Sequence, residues 1–154
     1  MNSYQQSFAS LKVLLAELAL PMADSLPLYE APDPEDPRED HVLWHFGHAI
    51  QDVARGLVEP SHRWAAPFGD LFLGPRGKDP FEGPIPEFQA IWDWYERLCQ
   101  HIEPILEHWK EEGELPEPFE LFDGTLYHTR REVMDYVLFH SGLHIGRCHQ
   151  LLGW

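Results

Sequence analysis

Four stretches of this sequence carry apolar residues at the three-and-four spacing of an α-helix, and none carries a sustained strand alternation. The first covers about 3–20, with Phe8, Leu11, Leu15 and Leu18 in phase and Pro21 as its stop. The second is entered through Asp36-Pro37-Arg38-Glu39, which offers a cap, a proline at the first helical position and a Glu three residues on. It runs to about 58, where Glu59-Pro60 closes it. The third covers about 87–112, with Phe88, Ile91, Trp92, Tyr95, Leu98, Cys99, Ile102, Leu106 and Trp109 on one broad face. Pro104 lies inside it and predicts a kink, and Gly113 is its expected stop. The fourth opens on Thr129-Arg130-Arg131-Glu132, a capping-box pattern, and continues to about 152.

Amphipathic helices of this kind bury their apolar stripes against one another, so the expected fold is all-α, a four-helix bundle with long crossover connections. At roughly 150 residues per domain, 154 residues make one domain, 1–154. The connection over 59–86 holds six prolines and four glycines, with Trp64, Phe68, Phe72 and Phe81 among them. A connection of that length is either a lid over a site or a crossover whose aromatics pack as a satellite core. A second connection precedes the fourth helix.

Charge and composition narrow the function classes. Eleven basic against 26 acidic residues leave a net charge of −15, which excludes the phosphate backbone of nucleic acid as a partner. Residues 11–20 are the most apolar early stretch, but Lys12 and Glu17 interrupt them and no 18-residue apolar run occurs. The expectation is a soluble, cytoplasmic protein without a membrane anchor. Cys99 and Cys148 form no C-x-x-C pair. Gly74-Pro75-Arg76-Gly77-Lys78 lacks the spacing and the following hydroxyl of a phosphate loop. Asn2 is the only asparagine, threonine occurs only at 125 and 129, and there are 14 prolines, a pattern that predicts heat tolerance.

Ten histidines are the compositional anomaly. On the fourth helix, at about 100° per residue with Val133 at zero, His140 falls near −20° and His144 near +20°. Both imidazoles are therefore expected on the core-facing stripe, one turn apart. On the second helix His41, His45, His48 and Asp52 form a narrow polar stripe beside the apolar face. The wheel does not decide whether that stripe lines an internal groove or faces water. Two histidines at i, i+4 offer two nitrogens to one ion, and a third from a facing helix completes a three-ligand site. Neutral imidazole suits zinc, nickel, copper or iron better than magnesium or calcium.

At these residues the sequence resembles the DinB-like (YfiT-like) family of metal-binding four-helix bundles. Trp44-His45-Phe46-Gly47-His48 is similar to the family's W-x-x-x-H, and His140-x-x-x-His144 to the histidine pair of its closing helix. Arg131-Glu132, Tyr136, Gly146-Arg147 and Leu151-Leu152 extend the likeness through that helix. Carried over position by position, the resemblance implies metal ligands at His48, His140 and His144, with His45 as the alternate from the second helix. It implies a divalent metal (zinc, nickel or iron), a low-molecular-weight thiol as co-substrate, a small-molecule substrate and a homodimer. The implied chemistry is activation of a thiol or water for transfer, isomerisation or hydrolysis. The alternative is a non-catalytic metal- or ligand-binding bundle in which the metal is structural.

Three further residues are candidates from their places on the same stripes. Asp52, one turn beyond His48, either orients that imidazole or acts as a base, or is an ordinary solvated carboxylate. Tyr136, one turn before His140, is either a pocket donor or, as is commoner, a packed ring with its hydroxyl at the rim. Cys148 continues the His140–His144 stripe, either as a fourth ligand or, in the commoner role of a buried Cys, as a small apolar core residue. His62, His101, His108, His128 and His149 take no role from their spacing.

Overall fold

The computed structural model describes residues 1–23, 42–58, 72, 86–110, 113–121 and 123–153. Among these, 75% are helical, in four helices accompanied by one small two-stranded sheet, so the fold is an all-α bundle carrying a β-hairpin. The helices are α1 (Ser3–Ala23), α2 (Val42–Leu57), α3 (Phe88–Glu107) and α4 (Arg130–Leu152). The strands β1 (Glu114–Glu120) and β2 (Leu126–Thr129) lie between α3 and α4. The proposed cap at Asp36-Pro37 and nearly all of the 59–86 connection lie outside the described residues.

The main contacts run α1 to α3, α3 to α2, α2 to α4 and α4 back to α1, with α2 packed most extensively on α4. That pair is antiparallel, as its cross-contacts show. Cys148 Sγ donates to the Val42 carbonyl (3.5 Å) and Ser141 Oγ to the Ala49 carbonyl (3.3 Å), while Gly56 lies against Val137. A methyl group at Gly56 would stand 2.4 Å from Val137 Cγ2, so the absence of a side chain sets how closely the helices approach. Burial on α2 extends beyond its apolar stripe to His45, His48, Gln51 and Asp52. The polar stripe of α2 is thus interior.

Helix ends differ from the sequence reading in instructive ways. α1 continues through Pro21 to Ala23; a proline in the last turn removes a single hydrogen bond and the helix ends shortly after it. α3 stops at Glu107 rather than near 112, because its last turn tightens: the His108 amide donates to Ile105 and the Trp109 amide to Leu106. Gly113 instead starts the hairpin, its carbonyl accepting from the Arg130 amide (3.0 Å). The α4 capping box is present as expected. Thr129 Oγ1 accepts from the Glu132 amide, and the Glu132 carboxylate accepts from the Thr129 amide. Gly153 closes α4 at φ +77°, the left-handed conformation that glycine adopts without strain.

The hairpin is a departure from the all-helical expectation. Pro116 and Pro118 interrupt β1, and prolines are tolerated there because among the described residues the sheet has two strands, each with one edge outside the pairing. The register shifts between Glu114 and Phe119, and the ribbon turns at Asp123-Gly124, with Gly124 at φ +83° and Asp123 Oδ1 accepting from the Thr125 amide. The Asp-Gly pair was the available signal. Phe119 and Tyr127, partners in register, stack on each other and contact Tyr136 of α4.

Candidate metal centre

Trp44-His45-Phe46-Gly47-His48 builds one side of the site. Gly47 is the position at which the Phe72 ring seats: a methyl there would lie 2.5 Å from the ring edge. With that ring fully buried, the Phe72 carbonyl comes within 2.6 Å of His48 Nδ1. A carbonyl only accepts, so Nδ1 of His48 carries the proton and Nε2 keeps the lone pair. Trp44 stacks on the His48 ring at 4.7 Å and meets His144 edge-on at 5.8 Å.

α4 supplies the opposite side. Its buried positions are Val133, Met134, Val137, Ser141, Ile145 and Cys148, whose centre lies about 70° round the wheel from Val133. His140 and His144 were expected in the middle of the core stripe. They stand instead at its margin and are half-buried, because the tightest packing against α2 runs through Ser141 and Cys148. That margin faces the buried polar stripe of α2.

Ligand atoms of His48, His140 and His144 all lie within 4.8 Å of one another, so these three could hold a metal ion. The ring pairs are close, with centroids 4.5 Å apart for His48–His144, 4.7 Å for His140–His144 and 5.3 Å for His48–His140. Asp52 is 1% exposed, and its Oδ2 accepts from His140 Nδ1 and lies 3.6 Å from His48 Nε2. Its other oxygen is 3.9 Å from Arg55 Nη1, and the Arg55 guanidinium lies over the Phe119 ring of the hairpin. Asp52 is therefore an interior carboxylate between two of the histidines, with a cation behind it. Tyr136 stacks on His140 at 5.2 Å, its hydroxyl 3.4 Å from His140 Nδ1. His45 stands outside the three-residue cluster, its Nδ1 2.8 Å from His144 Nδ1. Cys148 is fully buried and bonds to backbone, consistent with a core role.

The electrostatics favour a neutral ring at His48 and at His144, the form in which imidazole binds metal. Burial lowers the proton affinity of His48, with Asp52 opposing that effect. His144 is pushed down to about 2, by burial first and then by His48, His45 and His140 around it. Burial pushes the Tyr136 phenol up to about 12, and the Asp52 charge adds to the shift, so it is a hydroxyl donor at neutral pH. The donor set is chemically coherent: three imidazoles, two with Nδ1 held by an oxygen acceptor, which leaves Nε2 as the ligand atom.

His41 and His62 lie outside the described residues. A groove of about 480 Å3 between α1 and α3, bordered by Phe8, Lys12, Glu103 and Pro104, shares no residue with the cluster. Comparison with protein-family models, curated proteins and solved structures returned no match.

Proposed function

We propose that this chain is a DinB-like metalloprotein. In this reading it holds zinc, nickel or iron at His48, His140 and His144 and activates a low-molecular-weight thiol or water. The reaction is transfer, isomerisation or hydrolysis on a small molecule. The supporting observation is the combination of three clustered imidazoles with a half-exposed edge, since His140 retains 28% of its side-chain exposure. Structural sites are closed by four protein ligands, whereas three ligands at an accessible margin leave a position for a solute.

A divalent ion bound there would supply Lewis acidity, lowering the pKa of a coordinated thiol or water. The chain's own residues supply the rest. Phe72 and Asp52 fix the rings of His48 and His140, and Asp52 Oδ2 is near enough to both to take a proton from the reacting group. The Tyr136 hydroxyl is held at the rim of His140 as a donor to an oxygen on substrate. Phe119 and Tyr127 continue that aromatic wall away from the cluster.

The test is consumption of a panel of low-molecular-weight thiols with electrophilic acceptors, with the zinc-, nickel- and iron-loaded protein against its metal-free form. Metal-dependent turnover that is lost in His140→Ala supports the reading. A protein that binds the ion stably yet shows no turnover, and whose ion is inaccessible to azide or thiol, supports the structural-metal alternative.

A further inference from the structure

The contact between His45 and His144 has a proton bookkeeping of its own. Their Nδ1 atoms are 2.8 Å apart, a hydrogen-bond distance. Two lone pairs at that distance repel and two N–H groups clash, so one ring donates and the other accepts. If His144 accepted, its own proton would sit on Nε2. If His144 donates, Nε2 keeps its lone pair, as His48 and His140 do when they give Nδ1–H to the Phe72 carbonyl and to Asp52. Only the second assignment gives three like nitrogens.

We infer that His45 is a positioning residue for His144: its Nδ1 accepts the hydrogen bond from His144 Nδ1–H, and this turns the Nε2 lone pair of His144 towards the cluster. The inference rests on the metal reading above, and goes beyond it by giving the extra histidine of Trp44-His45-Phe46-Gly47-His48 a task other than ligation. Each candidate ligand then has an acceptor of different chemistry behind it: a backbone carbonyl, a carboxylate and an imidazole. His45 is 6% exposed, so bulk water is a poor substitute for it as acceptor. Trp44 packs edge-on against both rings of the pair, at 5.3 Å from His45 and 5.8 Å from His144, which holds their relative tilt. The ring centroids of His45 and His144 are 5.1 Å apart with planes at 35°. A second element, α2, therefore sets the tautomer of a ligand carried by α4.

Three variants and one spectroscopic measurement test this. In uniformly 15N-labelled protein, nitrogen–nitrogen coupling across the hydrogen bond should join the two Nδ1 atoms, with the proton assigned to His144 in the zinc-loaded form. His45→Leu keeps bulk but cannot accept, and zinc should bind about 10–100-fold more weakly while the stoichiometry stays at one ion per chain. His45→Gln restores an acceptor oxygen and should recover most of that loss; His45→Ala should resemble His45→Leu. A purely space-filling role would make Leu the better replacement and Gln the worse, which overturns the inference. Zinc affinity of His45→Leu within twofold of the wild type also overturns it, leaving the metal reading intact. A wild-type chain that takes up no zinc, nickel or iron ends both.

Discussion

The fit of the Phe72 ring over Gly47 makes Gly47→Ala a sharp perturbation. In an open helical position the exchange stabilises, because alanine exceeds glycine in helix propensity by about 1 kcal/mol. Here the new methyl would stand 2.5–2.6 Å from three atoms of a fully buried ring. Overpacking of that kind costs about 1–3 kcal/mol. Moving the ring also pulls the Phe72 carbonyl from His48 Nδ1, a hydrogen bond worth about 1 kcal/mol. Set against the propensity gain, the net loss is about 1–3 kcal/mol, or roughly 3–9 °C in melting midpoint for a chain of this size. Gly146→Ala is the internal control: no described residue lies within 4 Å of its added methyl, so it should stabilise by about 0.5–1 kcal/mol. Urea and thermal melts of the metal-free proteins read both. If Gly47→Ala rises in step with Gly146→Ala, the Phe72 ring is not seated there and its hold on His48 is refuted.

Other outcomes follow from the same contacts. Thr129→Ala should cost about 1 kcal/mol by removing the cap of α4, read as a shift in urea midpoint at constant m-value; an unchanged midpoint would count against the capping box. Burial holds the folded-state proton affinity of His48 and His144 below the ordinary value of 6.5, so the unfolded chain takes up protons that the folded chain refuses. The stability of the metal-free protein should therefore be level above about pH 7 and fall as pH drops through 6.5, a slope that His144→Gln reduces. The same pH dependence in that variant would exclude His144 as a source. Asp52→Asn should weaken zinc binding about 10–100-fold with the fold intact, measured by competition with a chromophoric chelator; unchanged affinity would leave Asp52 without a role behind His140.

The bundle was legible in the sequence because period 3.6 over long stretches is hard to mistake, as at Phe8, Leu11, Leu15 and Leu18, all buried. The capping box was legible because it is a local pattern with a local cause. Pro116 and Pro118 hid the hairpin, since a proline-bearing strand has weak alternation. The helical wheel brought His140 and His144 to the right face but not to the right depth, because depth depends on how closely Ser141 and Cys148 draw α2 in. Nor could it bury the polar stripe of α2; burial there comes from neighbours on every side of that helix. The Phe72 carbonyl behind His48 had no sequence signal at all, being a backbone group delivered by tertiary packing. The pairing of His45 with His144 joins residues 99 apart in the chain, and spacing is silent on such contacts.

The central claim is tested most directly by locating the ion. Crystals of protein stripped of metal and reloaded with zinc should give, in anomalous maps recorded at the zinc edge, one strong peak within ligand distance of His48, His140 and His144, matched in solution by one zinc per chain. A peak elsewhere, or less than about a tenth of an ion per chain after reloading with zinc, nickel or iron in turn, would contradict a site in which one ion is held by His48, His140 and His144.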